Sequence, residues 1–214
     1  MKYSEWRKIY KKILDDFSIE KKQDERAARI LTDYRDQSVS LKDIREIVND
    51  EVIILGNASI LKKQLTNRVR FNKTVIAADG ATEVAINEGI VPDLVVTDLD
   101  GDMTSILKAH ERGSVLVVHA HGDNIDKIKK WCPKIDKFLS TTQAKPFNAV
   151  YNFGGFTDGD RAVFLAVEFG ARDISLYGFD YKDAKDRKYK KLQWAKKLIE
   201  KCRDKNDVNI HHIH

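Results

Sequence analysis

From residue 51 onward, six short apolar runs alternate with stretches of helical spacing, and each run ends on a cluster of Gly, Asp, Asn, His or Thr. Val52-Ile-Ile-Leu55 ends at Gly56-Asn57-Ala58-Ser59, Thr74-Val-Ile-Ala-Ala78 at Asp79-Gly80-Ala81-Thr82, and Leu94-Val-Val-Thr97 at Asp98-Leu99-Asp100-Gly101-Asp102. Val115-Leu-Val-Val118 ends at His119-Ala120-His121-Gly122-Asp123-Asn124, Ala149-Val-Tyr-Asn-Phe153 at Gly154-Gly155, and Ile174-Ser-Leu-Tyr177 at Gly178-Phe179-Asp180. The runs lack the alternation of a half-exposed strand, so they read as strands buried on both faces. Helices are expected between them over Leu61–Arg70, Thr82–Glu88, Ile106–Glu111, Ile125–Lys130, Arg161–Phe169 and Tyr189–Cys202. Strand and helix in alternation predict an α/β fold, a doubly wound and mostly parallel sheet.

The first fifty residues differ. Tyr3, Trp6, Tyr10, Ile13, Leu14 and Phe17 recur at three- and four-residue spacing and make one apolar stripe. Asp24 opens a second expected helix with Ala27, Ala28, Ile30, Leu31 and Tyr34 facing inward, and Ser40-Leu-Lys-Asp43 has the form of a capping box for a third. The division expected is an N-terminal helical region over 1–50 and an α/β catalytic domain over 51–214. The stripes of these helices and of the segment around Trp194 and Leu198 exceed what one modest sheet covers, which points to a homodimer.

Composition narrows the class of function. No apolar run approaches the roughly 20 residues that span a bilayer, and the charged start, Met1-Lys-Tyr-Ser-Glu-Trp-Arg7, has no secretory core, so a cytoplasmic protein without a membrane partner is expected. Cys132 and Cys202 make neither a disulfide framework nor a four-ligand zinc site. The net charge of +5 invites a nucleic-acid reading, but the lysines are spread along helix faces with aspartates between them. Such an excess suits an anionic small substrate, and no nucleic-acid partner is expected. The chain lacks both Gly-x-x-x-x-Gly-Lys-Ser/Thr and Gly-x-Gly-x-x-Gly, so any phosphates are held by other means.

In open α/β sheets the ligand crevice lies beyond the carboxyl ends of the strands, where these polar clusters fall. Asp98, Asp100 and Asp102 alternate across a loop with Gly101, and converging carboxylates need a cation; oxygen donors of this kind suit Mg²⁺. Asp123 adds a carboxylate from the neighbouring loop, and Asn124 begins a helix whose N-terminus favours an anion. Gly154 and Gly155 allow close backbone approach to a ligand, and Arg161 offers a bidentate phosphate contact. Metal-assisted phosphoryl or pyrophosphoryl transfer fits these parts. Asp98-Leu-Asp100-Gly101 also resembles the nucleophile loop of haloacid-dehalogenase-type phosphatases, with Asp102 in place of the expected Thr. His119-Ala-His121-Gly-Asp123 resembles the zinc motif of metallo-β-lactamase-fold hydrolases, with Asn124 in place of the last His. A non-catalytic nucleotide-binding module is the third alternative.

The ordered series Ala78-Asp79-Gly80-Ala81, Gly89-Ile-Val-Pro92-Asp93-Leu-Val-Val-Thr-Asp98-Leu-Asp100-Gly101, His119-Ala-His121-Gly-Asp123-Asn124 and Gly154-Gly155-Phe-Thr-Asp158-Gly-Asp160-Arg161 resembles the archaeal 6-hydroxymethyl-7,8-dihydropterin pyrophosphokinases. These are distant relatives of thiamine pyrophosphokinases, which have Gly-Asp-Phe-Asp-Ser where this chain has Thr97-Asp98-Leu99-Asp100-Gly101. The resemblance implies transfer of diphosphate from ATP to the hydroxymethyl group of a pterin alcohol, with Mg²⁺ and release of AMP, in tetrahydromethanopterin or folate synthesis. On this reading Asp98, Asp100 and Asp123 hold metal, with Asp102 a fourth candidate, and His119 and His121 bond phosphate oxygens or the substrate hydroxyl. Asn57, Asp79, Thr82, Asn124 and Arg161 are candidate nucleotide contacts, and Asp158 and Asp160 can accept the N–H donors of the pterin ring. The tail Asn209-Ile-His-His-Ile-His214 reads as a surface tail or edge strand and a weak metal candidate.

Overall fold

The structure is a computed structural model that describes residues 1–66, 71–182 and 184–213. Its strands are β1 (Glu51–Leu55), β2 (Thr74–Ala78), β3 (Leu94–Thr97), β4 (Val115–Ala120), β5 (Phe138–Thr142), β6 (Val150–Tyr151), β7 (Asp173–Tyr177) and β8 (Asn209–His212). All pair in parallel in one sheet, in the order β6-β5-β4-β3-β2-β1-β7-β8. From β1 the chain steps outward strand by strand to β6, then crosses back to place β7 on the other side of β1. The order therefore reverses at β1 and β7, where a ligand crevice is expected.

The helices are α1 (Tyr3–Phe17), α2 (Lys21–Leu31), α3 (Leu41–Ile47), α4 (Leu61–Leu65), α5 (Ala81–Asn87), α6 (Met103–Glu111), α7 (Ile125–Trp131), α8 (Asp158–Phe169) and α9 (Asp186–Asn206). Successive strand residues point to opposite faces, and the core divides accordingly. Val52, Ile54, Ile76 and Leu176 meet residues of α1, α3, α8 and α9. Ile53, Leu55, Val75 and Leu116 meet residues of α2 and of α4 to α7. This is the doubly wound, parallel α/β arrangement with helices at the N-terminus.

The N-terminal helices join both layers. Trp6, Tyr10, Ile13 and Phe17 of α1 lie in the first, and Ala27, Ala28 and Leu31 of α2 in the second. The stripes that pointed to a homodimer are thus covered within the chain, and among the described residues only Val91 and Tyr189 are large exposed hydrophobics. No helix among the described residues is long and apolar enough to cross a membrane.

Several boundaries differ from expectation, each for a local reason. β5 was not legible as a strand because Phe138-Leu-Ser-Thr-Thr142 carries three hydroxyls; the Thr141 and Thr142 hydroxyls donate to Val118 O and Ala120 O of β4. β6 keeps only two residues of the run 149–153, because Asn152 leaves the ladder to bond Ala144 O and Gly154 N. Helix α2 begins at Lys21, so Asp24 sits in its first turn instead of opening it. Asn124 closes a short 3₁₀ turn, Gly122–Asn124, ahead of α7. Helix α4 ends at Leu65, and residues 67–70 of the expected helix lie outside the described residues, as does His214 of the tail. Asn209–His212 of that tail form edge strand β8.

Candidate functional site

The strand-end loops and the starts of α8 and α9 surround a cavity of about 910 Å³, closed on one side by the turn between α1 and α2. Asp79 follows β2, Asp98 follows β3, and Asp158 is the first residue of α8. One carboxylate oxygen from each lies within 4.8 Å of the other two, the one such acidic or His/Cys group found among the described residues. Gly101 makes room for it, since a Cβ there would lie 2.6 Å from Asp79 Oδ2.

The three carboxyls feel one another. Burial is the main reason that Asp79 is pushed up to about 6, with repulsion from Asp98 and Asp100 added; the Thr97 hydroxyl, donating at 2.5 Å, works the other way. Burial and the charge of Asp98 hold Asp158 well above the usual carboxylate range. Burial opposes the charge on Asp98 too, but the His121 hydrogen bond, with the charges of Arg161 and Lys127, outweighs it and holds that carboxyl low. Three crowded oxygen donors that resist joint ionisation are what a divalent cation relieves.

The loop after β4 serves Asp98. His121 Nδ1 accepts the Asp123 N–H, so its Nε2 carries the hydrogen and donates to Asp98 Oδ2 at 3.1 Å. Asn124 is buried, and its amide donates to Asp98 O and His119 O while its oxygen accepts the His121 N–H. It braces the two loops from beneath. His119 is 1% exposed, with Nδ1 against Thr141 Oγ1 at 3.1 Å. Burial, aided by Arg161, keeps it neutral, well below the usual histidine range. Asp123, itself exposed, lines the cavity. Asp100 is exposed and pairs with Lys127. Asp102 caps α6 by accepting Ser105 N–H at 2.9 Å, which lowers its pKa.

The start of α8 splits the Asp158/Asp160 pair. Asp160 is fully buried and accepts the Phe156 and Thr157 N–H groups at 2.7 and 2.8 Å, a capping box with Thr157. Asp158 faces the cavity and takes Arg161 Nη1 at 2.9 Å. Gly155, at φ +92°, packs so closely under Arg161 that a Cβ would lie 2.6 Å from its Cα. Asn57 lines the cavity beside Gly80, while Thr82 is fully buried in α5 with its hydroxyl unpartnered among the described residues.

The cavity also has walls that motif reading passed over. Arg187, Lys188 and Lys191 of α9 supply positive charge on its rim; in sequence they look like any solvated helix face. Asp24 and Gln143 line it as well, and no motif marks either one.

The family model for 6-hydroxymethylpterin diphosphokinase MptE-like proteins matches residues 26–186. The 6-hydroxymethyl-7,8-dihydropterin pyrophosphokinase of Pyrococcus furiosus is 39% identical over 231 aligned positions that cover 98% of each chain. That of Methanothermobacter thermautotrophicus is 36% identical over 229 positions, covering 98% of this chain and 99% of the relative. Among solved structures, thiamine pyrophosphokinase from Bacillus subtilis aligns at 18% identity with a TM-score of 0.44, over 76% of this chain and 60% of that one.

Proposed function

Because the chain belongs to the MptE-like 6-hydroxymethylpterin diphosphokinase family, we propose that it moves diphosphate from ATP to the hydroxymethyl oxygen of 6-hydroxymethyl-7,8-dihydropterin and releases AMP. It is an enzyme, a pyrophosphokinase. The observation that carries the mechanism is the meeting of Asp79, Asp98 and Asp158 at the cavity floor. Their oxygen-only donor set fits Mg²⁺, which supplies charge neutralisation to the transferring phosphates when bound there.

The chain's own residues do the positioning, which is most of the catalysis in such transfers. His121 donates to Asp98 and holds its carboxylate in place. Arg161, gripped by Asp158, sets a guanidinium beside the floor, and Arg187, Lys188 and Lys191 face the polyphosphate from α9. Asp123 and Asn57 line the same space and are left for substrate contact. The pterin hydroxyl attacks the β-phosphorus, and AMP departs. A cytoplasmic setting belongs to this reading and is supported by the free, buried thiols of Cys132 and Cys202. The product serves tetrahydromethanopterin or folate synthesis.

The test is AMP production from ATP. AMP formed only when hydroxymethyl-dihydropterin is present, abolished by EDTA and restored by Mg²⁺, is the expected result. Pterin-independent phosphate release would favour the hydrolase alternatives, and tight ATP binding without turnover would favour a binding module.

A further inference from the structure

Asp24 is 1% exposed, and a carboxylate buried that deeply is costly unless donors meet it. Three do, from three parts of the chain. The Tyr10 hydroxyl of α1 and the Gln143 Nε2, the latter at 2.7 Å, donate to Oδ2. The Gly122 N–H of the turn after β4 donates to Oδ1 at 2.7 Å. Tyr10 ties Asp24 to the α1 layer, where it stacks on Trp6; the other two donors lead into the site. Gly122 follows His121, which holds Asp98. Gln143 Oε1 accepts Arg161 Nη2 at 3.3 Å, and Arg161 Nη1 reaches Asp158 at 2.9 Å.

The Gln143 amide has one donating end and one accepting end, so what faces one end decides what the other can bond. A carboxylate at Asp24 draws the NH₂, which leaves the oxygen for the guanidinium. Reversed, the amide would set its oxygen against Asp24 and its NH₂ against Arg161. The Trp6 indole N–H, donating to Gln143 O at 2.8 Å, pins the backbone from which this choice is made. We propose that Asp24 is a positioning residue of the pyrophosphokinase site: through Gln143 it sets the orientation of Arg161, and through Gly122 it tethers the turn that holds His121 against Asp98. The N-terminal helices thus take part in building the site. The inference rests on the functional reading above for what Arg161 serves, and on these hydrogen bonds for how Asp24 acts.

An asparagine at 24 must turn an NH₂ toward either Gly122 N–H or the Tyr10 and Gln143 donors. Asp24→Asn and Gln143→Met should each lower kcat by about tenfold while both KM values stay within about threefold, the mark of lost positioning. Tyr10→Phe, which removes only the link to α1, should keep kcat within about twofold even where it lowers the melting temperature. A second readout needs no turnover: the Arg161 Nη2 hydrogens, which Gln143 Oε1 accepts, should exchange with solvent at least about fivefold faster by NMR in Asp24→Asn and Gln143→Met than in Tyr10→Phe. Wild-type kcat and exchange in folded Asp24→Asn would overturn the proposal, as would the same result in Gln143→Met should the first variant not fold. If the wild-type protein makes no AMP with the pterin present, the functional reading falls, and the exchange measurement alone decides the Asp24 link.

Discussion

The side chain of Asp98 is held by His121 and lies in reach of Asp79 and Asp158, so removing its charge should act on turnover before it acts on the fold. Asp98→Asn is expected to lower kcat by on the order of a hundredfold with a near-wild-type melting temperature; steady-state AMP formation and a thermal melt check this, and unchanged turnover would sink the assignment. The same cluster makes stability depend on pH. Asp79 is raised from 3.8 to about 6, so the folded chain holds a proton that the unfolded chain has released. The stability linked to that proton is complete below about pH 4 and drains away as pH rises through about 6. Asp158, held above the usual carboxylate range, runs the same way, whereas Asp98, held low, gives up its contribution only in stronger acid. His119, held neutral, works the opposite way over the same range, so the check is a difference: in EDTA, lowering the pH from 7 to 5 should raise the melting point of the wild type relative to that of Asp79→Asn, and Mg²⁺ at pH 7 should raise the wild type's; an equal pH response in the two would count against the buried cluster. Sequence alone put each of these three acids at a strand or helix end, yet it grouped Asp98 with Asp100 and Asp102 because neighbours in sequence are easiest to read together. The meeting with Asp79 and Asp158 is made by the sheet, which aligns the ends of β2 and β3 with the start of α8.

Elements whose residues are apolar on both faces were legible, and those that satisfy polar groups inside were not. The runs of β1 to β4 and β7 announced themselves, while β5 hides its hydroxyls in bonds to β4 carbonyls that exist only once the two strands are paired. The approach to α8 shows the converse, a loop readable by its glycines. Gly155 combines φ +92° with a Cβ position 2.6 Å from Arg161 Cα and 2.7 Å from Arg161 N, so both its backbone and its neighbour demand the missing side chain. Gly155→Ala should therefore cost about 3 kcal/mol of stability and displace the backbone that carries Arg161, lowering kcat as well. Urea unfolding at unchanged slope would register the first effect; a variant with a wild-type midpoint would show that the turn has room this geometry denies it.

At the scale of the molecule, the question is whether the sheet and its strand-end loops can stand without the first fifty residues, which the sequence pattern set apart as a helical region. The packing argues that they cannot. Trp6, Tyr10 and Ile13 are at most 1% exposed and Phe17 is 4% exposed, all in the layer that also buries Val52, Ile54 and Leu176 of the sheet. Burying a large apolar side chain stabilises by roughly 2 kcal/mol, so these four contribute about 8 kcal/mol, comparable to the whole stability of an ordinary domain. Helix α2 covers the opposite face with Ala27, Ala28 and Leu31, so deletion strips both sides at once. It also removes Asp24 from beneath the turn after β4 and leaves the Gly122 N–H and the Gln143 amide without that acceptor. Residues 51–214 produced alone should thus show no cooperative thermal transition, bind an apolar-surface dye, and neither hydrolyse nor transfer phosphate from ATP. Supplying residues 1–50 as a separate chain should restore part of the transition, because the lost surface is complementary and the missing link is covalent only. A sharp transition from 51–214 by itself would mean that the sheet is covered without α1 and α2, and that the helices were added to a core already complete.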